Sequence, residues 1–198
     1  NTKPSSMSMH TGWTSLREEQ GLKMSCEMWH RSMLAYTTNP MDWNKPSLTG
    51  QCHLFRDVVS KDPDKYIGLI DQIICDDRIL LSYPKAGMQG LLDAGMVGDA
   101  LHVLEGILNV VDNDVNSSKR GFDILSLLYA IDDITKRDEV PEIIIQLLCD
   151  TLTEAKELEV DKCQPTNDIY NVGLNQPRGH AGYLLVKCTS EIKYSEVI

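Results

Sequence analysis

The sequence predicts an all-α fold, an α-α superhelix of irregular HEAT- or tetratricopeptide-like character with about nine helices. Three observations predict it. Apolar residues recur at helical spacing in segment after segment, while the alternation of a half-buried strand is almost absent. The segments are separated by short turns rich in Pro, Gly, Asn and Asp, so consecutive amphipathic helices must pack as neighbours. Over 198 residues, 42% are hydrophobic and 24% charged, which is enough apolar surface for a core and too few charges for a disordered chain. No tight consensus repeat is visible, so the stack is expected to be irregular.

The elements follow in order. Leu22, Cys26, Trp29, Met33 and Tyr36 form one stripe, on a helix expected from near Trp13 to just before Asn39-Pro40. Pro40 and Pro46 bound a loop that carries Trp43 and separates an N-terminal region, 1–47, from a helical-repeat domain, 48–198, with one continuous domain as the alternative. A helix over Leu48–Ser60 turns Cys52, Leu54, Phe55, Val58 and Val59 to one side. Asp62-Pro63 is a stop followed at once by a start, with Asp as cap and Pro in the first turn of a helix carrying Tyr66, Ile70 and Ile74. Tyr83-Pro84 opens the next, which ends around Gly95, and a wide stripe from Ala100 to Val111 follows. Ile124 to Ile131 and the segment opened by Val140-Pro141 are two more. Short helices over Asp168–Leu174 and Pro177–Thr189 finish the chain, the last with Ala181, Leu184, Leu185 and Cys188 inward.

Charge narrows the function. The formal net charge is −10, with no run of Lys or Arg, which argues against nucleic acid and against anionic membrane surfaces. No apolar stretch approaches the ~20 residues that span a bilayer. Six cysteines without close pairing fit a reducing cytoplasm, with Cys26, Cys75, Cys149 and Cys188 on or beside apolar stripes. The chain starts at Asn1 without a basic stretch and apolar core behind it, and is expected to be a piece of a longer protein without a signal peptide.

Motifs for chemistry are sparse. Cys26 and His30 stand four apart and Cys52-His53 are adjacent, but zinc takes two close ligand pairs, so no metal site is expected. Asp112-Asn-Asp114-Val-Asn116, with Asp123 in twelfth place, has the opening of a calcium loop. Ser117 stands where that loop needs Gly, and Asp123 where it needs Glu, so this is an acidic helix–helix turn. Phosphate-cradling glycine loops and a nucleophile elbow are absent, and no catalytic residue or cofactor is predicted. Trp43 is the one aromatic singled out as an anchor for a partner protein.

The most informative stretch is Asn175-Gln-Pro-Arg178-Gly179-His-Ala-Gly, at the mouth of the last helix, with Asn175 as its expected cap. A cation in a first turn opposes the helix dipole, so Arg178 is expected to hold a neighbouring helix or loop. With Lys61-Asp-Pro-Asp-Lys-Tyr66, Tyr83-Pro84 and Gly90-Leu91-Leu92, the stretch resembles the helical-repeat region of very large bacterial STAND-type ATPases of antiviral (AVAST) systems, over roughly residues 60 to 190. There an Asp-Pro-x-x-Phe-like segment precedes the repeats, and an Asn-Ser-Val-Arg-Gly-like motif opens a helix rich in Ala. This chain departs from that pattern at Gln176-Pro177, and the likeness does not extend over the first 50 residues. The resemblance implies a sensor segment that recognises another protein by shape and carries no catalysis itself.

The reading is therefore a non-catalytic protein-recognition or scaffold module, with Asn175, Arg178 and Gly179 structural. The rival is a small-ligand bundle or enzyme with a pocket near Arg178, using His180 and a Tyr.

Overall fold

The computed structural model describes residues 16–40, 46–132, 134–136, 140–156 and 175–195. The fold is all-α: among the described residues there are nine α-helices, two 3-10 turns and no strand. The helices are α1 (Glu18–Lys23), α2 (Cys26–Ala35), α3 (Leu48–Lys61), α4 (Pro63–Cys75), α5 (Ser82–Asp93), α6 (Val97–Val110), α7 (Ile124–Ile131), α8 (Glu142–Glu154) and α9 (Pro177–Ser195). None of them is long and apolar enough to cross a membrane. The helix expected over Asp168–Leu174 lies outside the described residues.

The chain divides between Ala100 and Leu101 into two compact units. This differs from the expected division at 47/48, because α1 packs on α3 and α2 on α4, which places both N-terminal helices inside the first unit. The single helix expected from near Trp13 is also corrected. Ser25 breaks it, its hydroxyl accepting from the Met28 amide and starting α2 afresh. Trp29 fixes the break by donating its indole N–H to the Gly21 carbonyl at 3.1 Å. Trp29 and Met33 are buried as the stripe required, while Leu22, Cys26 and Tyr36 are half-buried.

The core of the first unit is the contact of α3 with α5. Phe55, Val58 and Val59 of α3, Ile70 of α4, and Tyr83, Met88 and Leu91 of α5 are all fully enclosed. Two glycines of α5 set the spacing. A Cβ on Gly87 would stand 2.9 Å from the Ile70 side chain and 3.3 Å from Phe55. A Cβ on Gly90 would stand 2.6 Å from the Arg56 carbonyl oxygen and 2.7 Å from Val59. The pairs Phe55/Gly87 and Val59/Gly90 advance together along both helices, so α5 runs beside α3 in the same direction and α4 carries the chain back. Arg56 closes the contact at its edge with a bidentate pair to Asp93, at 2.6 and 3.0 Å. Gly95, at φ +80°, ends α5: its amide reaches the Leu92 carbonyl while the Met96 amide reaches Leu91.

In the second unit α9 packs on α8, on α7 and on the turn Ile134–Lys136. Leu127, Leu128, Ile131, Ile134, Ile144, Leu147, Leu148, Ala181, Leu184 and Cys188 are buried. Leu185, expected inward on α9, is half-buried, as are Leu101, Leu125 and Leu152 on α6, α7 and α8. Cys75 and Cys149, expected beside apolar stripes, are exposed.

Gly90→Ala is expected to cost about 1–3 kcal/mol, because the clash is with backbone that cannot rotate away. Gly68→Ala, in the middle of α4 with nothing within 4 Å, is expected to stabilise by about 0.5–1 kcal/mol. Urea unfolding of the two variants beside the parent checks both signs.

Candidate functional site

The site to be judged is the start of α9 and what it touches. Pro177 is the first helical residue, and the His180 amide bonds the Gln176 carbonyl at 2.9 Å. The cap position is therefore Gln176 and not Asn175. Asn175 does something else: its side-chain oxygen accepts from the Tyr129 hydroxyl of α7 at 3.0 Å.

Arg178 reaches sideways to the end of α8. Its Nε donates to the Ala155 carbonyl at 2.7 Å, and Nη2 to the Thr153 carbonyl at 3.4 Å. A helix leaves its last four carbonyls without intrahelical partners and carries partial negative charge there, so a guanidinium suits the position well. The cation that sits badly against the dipole of α9 thus sits favourably against that of α8. Gly179 is half-buried in the same turn.

A second residue holds the same helix end. Asn116 donates from Nδ2 to the Glu154 carbonyl at 2.9 Å, and its Oδ1 accepts from the Lys156 amide at 2.6 Å. The sequence pattern assigns Asn116 only to a turn; the signal for its role is its amide side chain, which can accept and donate at once. The other residues of that turn are also in use. Asp112 pairs with Lys119, Asp114 receives the Asn116 amide at 2.9 Å, and Asp123 caps α7 by accepting from the Leu125 amide at 3.1 Å. Asp112 and Asn113 lie at φ 56° and 55°, a left-handed turn in which the Asn113 amide reaches back to the Leu108 carbonyl.

Beside the clamp lies an aromatic cluster that sequence reading reached only in naming His180 with a Tyr. The His180 ring is 4.2 Å from Tyr129 and 6.0 Å from Tyr183, centroid to centroid. His180 is 6% exposed, and its Nε2 is buried without a hydrogen-bond partner. Burial pushes its pKa below the ordinary 6.5; Asp132 opposes that shift and Lys187 adds to it. Lys187 bonds Asp132 at 2.6 Å and lies 5.2 Å over the Tyr183 ring.

Among the described residues of the first unit, Asp76 gathers two basic partners. His30 Nε2 is 2.8 Å from an oxygen of Asp76, and the same carboxylate receives three bonds from Arg78, two from the guanidinium and one from the amide. The Arg78 guanidinium, seconded by His30, holds the Asp76 carboxyl far below the usual carboxylate range. Cys26 does not join His30: its thiol donates to the Lys65 carbonyl at 3.4 Å. Cys52 is buried, and burial raises its thiol to about 12, so it stays protonated and unreactive, while His53 is exposed. Among the described residues no group of three or more His, Cys, Asp and Glu is arranged to hold a metal ion. Trp43 lies outside the described residues.

Comparison with models of known families, with curated proteins and with solved structures finds no match to this chain.

Arg178→Ala is expected to cost about 1–2 kcal/mol by freeing the α8 carbonyls, and Asn116→Ala a similar amount. Because both hold one helix end, the double variant should lose less than the two costs added, which a double-mutant cycle by denaturant melts measures. A depressed histidine pKa means that the unfolded chain binds the proton more readily. Stability should therefore be level above pH 6.5 and fall as the pH drops from 6.5 towards the folded-state value of His180. His180→Phe should flatten that slope in melts between pH 7.5 and 5.

Proposed function

We propose that this chain is a non-catalytic helical-repeat segment that recognises another protein, and that it serves as the sensor part of a larger bacterial ATP-binding defence protein in the cytoplasm. The observation that carries the reading is the use made of Arg178. The one distinctive motif in the sequence spends its guanidinium on the terminal carbonyls of α8. Such a group supports a scaffold, whereas a ligand site at Arg178 would need it turned into a polar cavity. The turn with calcium-loop spacing is likewise spent on helix ends.

Stacked helices present broad, shape-defined faces, and the likeness of Asn175, Arg178 and Gly179 to the motif of STAND-type sensor repeats supplies the biological setting. Net charge of −10 favours a partner with basic surface and disfavours nucleic acid.

The test is affinity capture with the full chain as bait in bacterial lysates prepared before and after phage infection, followed by cross-linking of any captured protein. The expected result is one protein enriched in the infected lysate and cross-linked to the helical surface. Absence of any specific protein, together with thermal stabilisation by a small metabolite, would overturn the reading in favour of a ligand-binding bundle.

A further inference from the structure

Between α6 and α8, wholly within the second unit, lies an open groove of about 520 Å³. Among the described residues its floor is Leu101, Pro141 and Ile143, all half-exposed, and its polar wall is Glu105, Glu142 and Gln146. The wall is one-sided in its charge. Gln146 gives one of its two amide N–H groups to Asp150 at 2.7 Å, which leaves its oxygen and one N–H with capacity to spare. Glu105 and Glu142 can only accept.

Among the described residues neither glutamate has a cation partner: Arg56 pairs with Asp93, Lys61 with Glu18, Lys119 with Asp112, Lys187 with Asp132, and Arg178 bonds carbonyls. The groove therefore joins an apolar strip to two carboxylates, and a fitting ligand must bring positive charge and donors along with apolar surface.

We propose that this groove seats an arginine-bearing segment of a partner protein, with the guanidinium at Glu105 and Glu142 and an adjoining aliphatic side chain on Leu101, Pro141 and Ile143. The proposal deepens the protein-recognition reading and rests on it. Arginine fits better than lysine because its planar, weakly hydrated head offers five N–H donors to several acceptors and lays its faces on apolar surface. A phosphate-bearing partner would be repelled by the same wall.

The experiment is a titration of the isotopically labelled full chain with the dipeptide N-acetyl-leucyl-arginine amide, read as amide chemical shifts. The expected result is perturbation centred on Leu101, Glu105, Glu142, Ile143 and Gln146, absent with N-acetyl-leucyl-glutamine amide. Affinity should weaken by about tenfold or more in the E105Q/E142Q double variant, whose isosteric, exposed substitutions leave the packing in place. Equal response to the neutral dipeptide, shifts centred elsewhere, or undiminished binding by the double variant would each overturn the proposal. A protein captured from lysate as well by E105Q/E142Q as by the parent overturns the groove and leaves the recognition reading standing. Loss of arginine-dipeptide binding in the double variant supports the groove even where the lysate yields nothing.

Discussion

A stack of short helices is mostly ends, and each end leaves four donors or four acceptors that the helix cannot satisfy. The rest of this structure depends on how those ends are answered. Ser25, Ser47 and Asp123 supply side-chain oxygens to open α2, α3 and α7. Gly95 closes α5 by adopting a backbone conformation that costs other residues strain. The end of α8 is answered from two directions, by Asn116 ahead of it in the chain and Arg178 behind it. Hydrophobic burial drives the helices together, but these polar contacts say where each one stops.

What could be read in the sequence tracks the range of the interaction. Pro63 in the first turn of α4, the stripe of α3 and the periodicity of α8 are local patterns, and each lies where local physics places it, although Asp62 holds the cap position of α4 without a side-chain bond to its first turn. The break at Ser25 was hidden because the stripe from Leu22 to Tyr36 keeps helical phase across it, and the deciding bond, from Trp29 to Gly21, is a tertiary one. The unit boundary was equally hidden. A Pro-rich loop is a local mark, whereas membership of a unit is decided by what α1 and α2 pack against.

The candidate site divides in the same way. Arg178 was visible as a charge at odds with its own helix dipole, and that conflict pointed to a neighbour without naming it. The neighbour, the end of α8, lies more than twenty residues earlier in the chain. Asn116 gave no such sign, since an Asn in a turn is ordinary until its partners are seen. His180 is the counterexample: burying an imidazole with an idle Nε2 gives up a hydrogen bond for stacking on Tyr129.

The way α9 is held has a consequence for the order in which the molecule is built. α1 to α5 close on one another within the first hundred residues, so that unit has its core as soon as it leaves the ribosome. The second unit does not. α7 and α8 bury their faces against α9, Arg178 returns to Ala155, and Lys187 returns to Asp132 across 55 residues of sequence. Until α9 is synthesised, the apolar faces of α7 and α8 lack the cover that α9 gives them, and the end of α8 lacks one of its two clamps. Until then the second unit is the part of the described fold that is exposed to misfolding and to chaperones.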